Sequence, residues 1–207
     1  MATVTKLNSG TISLRLSATS RTHRLLRLGA EFVVLAVFVS VILGGTTLQG
    51  QNSNPTEYQV KAVYLYNFGK FVEWPSTAKP ANVFGICVLG QDPFGTTFDT
   101  TIAGESVNTK KVVIQRITTL QEAGSCHILF ISSSEEKRLK EILTTLNEAS
   151  ILTVSDMPQF VRRGGMIQFV TTGNKVRFEV NLTSAERTGL SLSSQLLKVA
   201  LSVRTGS

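Results

Sequence analysis

Between Glu57 and Pro75 the chain reads EYQVKAVYLYNFGKFVEWP, and at 100° per residue Val60, Tyr64, Leu65, Phe68, Phe71 and Val72 fall in one arc. Val63 and Trp74 lie at its edge. The spacing predicts a helix running into a Trp-Pro stop. Two polar residues interrupt the apolar arc: Asn67 lies between Trp74 and Val60, and Lys61 between Phe68 and Val72. A buried amide needs a definite hydrogen-bond partner. The Lys61 stem can cover Phe68 and Val72 while its ammonium reaches solvent or an acid such as Glu57.

Beyond a short linker bracketed by Pro75 and Pro80, the pattern changes period. NVFGICVLG is a mostly apolar run of strand length, CHILFIS is apolar enough to be a strand buried on both faces, and KKVVIQRI alternates around Val113. Asp92 and Pro93 look like the cap and first residue of a helix. SSEEKRLKEILTTLN carries a serine cap, early acids, and Leu139, Ile142, Leu143 and Leu146 at helical spacing. ILTVSD returns to strand, and MIQFVTTGNKVRFEVN reads as a hairpin turning at Gly173 and Asn174, with Lys175, Arg177 and Glu179 on the face opposite Val176, Phe178 and Val180. The tail from Thr183 is expected to be helical, broken near Gly189 and resumed through Val203. The sum is an α/β fold: a single-domain three-layer sandwich with a mainly parallel sheet, an antiparallel hairpin near its edge, and flanking N- and C-terminal helices.

Charge adds little once its position is known. Of the net +7, the first 50 residues carry +4, from Lys6, Arg15, Arg21, Arg24 and Arg27 against Glu31. The basic pI therefore belongs largely to a leader and gives no support to nucleic-acid binding. That leader continues into FVVLAVFVSVIL, Phe32 to Leu43, whose helical length of about 18 Å is short of a bilayer core of roughly 30 Å. The expectation is a secretory signal over residues 1–50, or else an uncleaved anchor, ahead of a domain spanning 51–207. In an oxidising compartment Cys87 and Cys126 read as a disulfide, the alternative being two buried thiols.

Catalytic signatures are scarce. GQDPFG lacks both the Gly-x-Gly-x-x-Gly spacing and the Gly-Lys-Ser/Thr ending of a phosphate loop. His127 beside Cys126 would sit on the opposite face of a strand. A single histidine after the leader argues against a histidine metal cluster, and the ends of the first and third strands offer only Asp92 where a phosphate-receiver site would need several acids. The reading is a non-enzyme with no cofactor and no metal site.

VKAVYLYNFGKFVEWP, CHILFIS, ILTVSDMPQFVRRGGMIQFV, KVRFEVNL and GLSLSSQLLKVA, in that order, resemble the YfiR-like periplasmic regulatory proteins over residues 57–203. The resemblance implies an exported α/β regulator that binds the periplasmic part of an inner-membrane sensor, above all a diguanylate cyclase, and so controls cyclic di-GMP and biofilm output. It implies a homodimer and a structural cystine at Cys87 and Cys126, but no second cystine, since no cysteine follows Cys126. The alternative is a periplasmic ligand-binding or accessory protein of a transport or secretion system. For the site, Asn67, Trp74 and Arg177, with Lys61 nearby, are candidates to line a groove for a small ligand or a partner peptide: an amide, a flat apolar face and a bidentate cation. The other reading makes Asn67 a structural tie between the helix and the sheet or the C-terminal helix.

Overall fold

A computed structural model of the chain describes residues 55–75 and 82–206. The leader and residues 76–81 of the linker lie outside the described residues. The elements are α1 (Glu57–Phe71), β1 (Val72–Glu73), β2 (Val83–Leu89), α2 (Thr96–Thr101), β3 (Ser106–Val107), β4 (Lys110–Ile117), β5 (Cys126–Ile131), α3 (Leu139–Thr145), β6 (Leu152–Ser155), β7 (Ile167–Thr172), β8 (Lys175–Asn181), α4 (Leu182–Arg187), β9 (Ser191–Leu192), α5 (Ser194–Val199) and β10 (Ser202–Arg204). Single 3₁₀ turns precede β5, α3 and β7.

Eight strands form one sheet in the order β10-β8-β7-β6-β5-β2-β4-β3. The five from β4 to β7 are parallel, β7 and β8 form the expected hairpin, and β10 runs parallel to β8 at the edge. Side chains of the central strands alternate between two buried faces, which is why those strands read as unbroken apolar runs. Ile86, Val88, Ile128, Phe130 and Val154 face α1 through its Ala62, Leu65 and Phe68. Cys87, Leu89, Leu129 and Ile131 face the other way, onto Leu139, Ile142 and Phe160. This is the three-layer α/β sandwich.

Four local expectations are corrected. α1 stops at Phe71, because Val72 and Glu73 leave as an extended pair hydrogen-bonded to Leu192 and Ser191. Asp92 caps no helix: its carboxylate accepts the Phe94 amide in a tight turn, and α2 begins at Thr96 behind Gly95, whose φ is positive. The helix expected from Ser133 is a 3₁₀ turn over Ser133–Arg138 before α3 takes over. Past Val199 the tail becomes the edge strand β10, since pairing with Glu179, Val180 and Asn181 outweighs helical spacing over so few residues.

One irregularity sets the chemistry of the sheet. Gly85 pairs with Cys126 but Ile86 pairs with Ile128, so His127 is an extra residue on β5. A bulge breaks the alternation of faces. Cys126, which would otherwise point with Ile128 toward α1, joins Leu129 on the far face, where Cys87 waits. The two cysteines are joined as a disulfide, with Cα atoms 5.8 Å apart. The Gly85 amide donates instead to His127 Nδ1, at 3.1 Å. A Cβ on Gly85 would lie 2.3 Å from the Ser125 carbonyl oxygen, so only glycine fits there.

Candidate functional site

In a doubly wound sheet, ligands bind outside the carboxyl ends of the strands where the order reverses, here between β2 and β5. In this chain its own side chains fill that place. The Gln91 amide donates to Ser134 Oγ at 2.9 Å, and a Cβ on Gly90 would stand 2.5 Å from the same hydroxyl. Phe94 packs on Phe98 and Phe130 and edge-on against Tyr58 of α1. Asp92 and Asp99 both grip Arg116, at 2.9 and 2.7 Å, and Arg116 hydrogen bonds hold the Asp99 carboxyl below its ordinary range. No group of three or more His, Cys, Asp or Glu side chains among the described residues is placed to hold a metal ion.

Beside this filled crevice, Lys61 is only 3% exposed and meets two carboxylates: Glu57 at 2.6 Å, as the spacing suggested, and Asp156 at 2.7 Å. It does not reach bulk solvent. Asp156 also accepts the Tyr58 hydroxyl at 3.1 Å, and the ammonium lies 4.4 Å from the Tyr58 ring centroid. Burial disfavours the charge, but hydrogen bonds to Asp156 and Glu57 outweigh it and raise the Lys61 pKa above its ordinary value. Lys61 thereby clamps α1 to the end of β6.

The other candidates separate. Trp74 lies past the end of α1, edge-on to Phe84 and His127, and its buried indole N–H has no acceptor among the described residues. Asn67 is half-buried and makes no side-chain hydrogen bond to any described residue, so the structural tie to the sheet is not found. Arg177 sits elsewhere, on the exposed face of β8. It lines an open groove of about 1040 Å³ between the N-terminal half of α1, the β7–β8 hairpin and the end of α5. Neither Asn67 nor Trp74 lines it.

The groove has a definite character. Val60, Tyr64, Val176 and Val199 give it apolar walls, and Lys175, Arg177 and Lys198 give it charge. Its one carboxylate, Glu57, is held by Lys61. Among the described residues the exposed large hydrophobic side chains are Val63, Val199, Leu201 and Val203. Val199 lines the groove, Val63 is on the next turn of α1 from Val60, and Leu201 and Val203 continue from α5 along the sheet edge. The alternation of Lys175 and Arg177 with apolar neighbours was visible in the sequence. Lys198 and Val199 were missed, because they fall in a segment that reads as the continuing C-terminal helix.

Residues 58–201 match the model of a family described as YfiR/HmsC-like. Among solved structures, one similar chain is an ABC domain in complex with L-Trp from Streptococcus pneumonia: 12% identity, 69% of this chain and 60% of that one, TM-score 0.49. Another is a conserved domain protein from Vibrio cholerae: 13% identity, 59% of this chain and 55% of that one, TM-score 0.42. The chain thus spans little more than half the length of each.

Proposed function

The chain belongs to the YfiR/HmsC-like family, and from that premise we propose that it is a periplasmic, non-enzymatic regulator that binds the periplasmic part of an inner-membrane sensor and restrains a diguanylate cyclase. The observation that carries the binding reading is the basic, apolar-walled groove, contiguous with the exposed hydrophobic residues at the sheet edge. Exposed apolar surface of this kind, rimmed by charge, fits a protein partner better than bulk water. Regulation then follows from differential affinity: the protein prefers the inactive sensor and shifts it toward that state.

The test is capture from detergent-solubilised membranes, using the exported protein as bait, together with cellular cyclic di-GMP. Wild type should retain a membrane protein with a periplasmic sensor region and a cyclase domain, and its deletion should raise cyclic di-GMP. The reading is overturned if deletion leaves cyclic di-GMP unchanged and a transport or secretion component is captured instead.

A further inference from the structure

On the opposite face of the sheet from α1, a cavity of about 270 Å³ opens between α3, the loop before β7 and α4. Its charged lining is wholly cationic: Lys140, Arg163 and Arg187. Arg163 is engaged by Glu136 at 3.0 Å. Among the described residues Arg187 meets only neutral oxygens, Asn147 Oδ1 at 3.5 Å and Ser184 Oγ at 3.4 Å, both at the outer limit of a hydrogen bond.

The floor is unusual in its spare donors. Thr153 is 1% exposed and Ser184 is 4% exposed. The Thr153 hydroxyl oxygen accepts the Met166 amide at 3.2 Å, and that of Ser184 accepts from Arg187. Neither hydroxyl donates its hydrogen to any acceptor among the described residues. A buried hydroxyl proton without an acceptor carries a desolvation cost. The cavity therefore presents two buried O–H groups, a guanidinium and an ammonium, with no carboxylate in its lining. Leu143, Leu146 and Met166 supply an apolar wall.

We infer that this cavity binds a small organic anion, its carboxylate or phosphate oxygens taken by Arg187, Lys140 and the hydroxyls of Thr153 and Ser184, and its short hydrocarbon body resting on Leu143 and Met166. An oxyanion supplies acceptors to every spare donor at once, and charge-assisted bonds to a guanidinium are the stronger kind. The volume falls just under the roughly 300 Å³ at which drug-sized sites begin, which limits the ligand to a few carbons beyond its charged group. The site lies away from the groove and does not depend on the identity of the membrane partner.

The test is calorimetric titration and thermal melting of the domain with succinate, citrate, inorganic phosphate and glycerol 3-phosphate, against chloride at matched ionic strength. At least one should bind saturably and raise the melting temperature, and the carboxylate and phosphate arms tell which oxyanion fits. Arg187→Gln and Lys140→Gln, both exposed cations whose loss leaves the core intact, should each weaken binding at least tenfold. Amide shifts on titration should centre on Met166 and Ser184. No oxyanion exceeding chloride, or undiminished binding to Arg187→Gln, would overturn the assignment.

Discussion

His127 Nδ1 accepts the Gly85 amide at 3.1 Å, so that the extra residue of the bulge on β5 takes up a backbone donor of the neighbouring strand. The bond needs an unprotonated Nδ1, so the proton of the neutral ring sits on Nε2. Burial first, and the Lys110 charge second, push the imidazole below its ordinary 6.5.

A depressed folded-state pKa means that the unfolded chain binds the proton first. This contribution to stability is complete above pH 6.5 and declines as the pH falls through the lower folded value. Urea midpoints should therefore drop between pH 7.5 and 5.5. His127→Phe should be less stable at pH 7.5 and should lose this acid-side slope. An unchanged slope in that variant would refute the assignment.

Gly85→Ala should be among the most damaging single substitutions in the sheet, because the added methyl meets the Ser125 carbonyl, which is backbone and cannot rotate away. About 2 kcal/mol or more is expected. Gly124→Ala, whose Cβ meets nothing within 4 Å, is the control and should stay close to wild type in denaturant titrations.

Replacing both Cys87 and Cys126 by alanine should lower stability by roughly 2–4 kcal/mol while retaining the fold, since β2 and β5 remain paired along their length. Wild type under reductant should shift by a similar amount. Mass spectrometry of protein purified from the periplasm should show no free thiol before reduction.

Asp156→Ala leaves the buried Lys61 ammonium with only Glu57, and should cost about 3 kcal/mol. Lys61→Met should cost less, because the carboxylates it abandons are the more exposed partners. Lys61 also contributes on the alkaline side. Its raised pKa keeps the contribution whole below the ordinary 10.5, and stability should fall as the pH climbs past that value.

Lys175→Glu with Arg177→Glu should abolish membrane-partner capture without lowering the melting temperature, both side chains being exposed. Asn67→Ala and Trp74→Phe, at residues that do not line the groove, should leave capture intact. Loss of capture in Asn67→Ala with normal melting would move the partner surface along α1 and away from the hairpin.

Much of the fold is local and could be read as such. The apolar runs at β2 and β5, the alternation at β4 and the Gly173–Asn174 turn each carry their own signal. What escaped is non-local. Nothing near Lys61 announces Asp156, and nothing in the CHILFIS run marks His127 as supernumerary. The paired cysteines were expected from compartment chemistry, but the bulge that brings Cys126 to the face of Cys87 was not. Two-residue strands such as β1 and β9 hold too few side chains to show a period at all. Of the groove, the sequence offered Arg177 as a candidate and Lys175 only as its neighbour on the exposed face of the hairpin, while Asn67 and Trp74 do not line it. Its other wall depends on where α5 ends, and that is decided by pairing with β8.

The clamp between Lys61 and Asp156 spans 95 positions of chain. A ribosome adding roughly 5–20 residues per second leaves an interval of about 5–20 s between the synthesis of the two residues. Throughout that time the Lys61 ammonium has only Glu57 of its two carboxylate partners, and burying it is disfavoured. The docking of α1 over the end of β6 is therefore completed only once the chain has been made as far as Asp156.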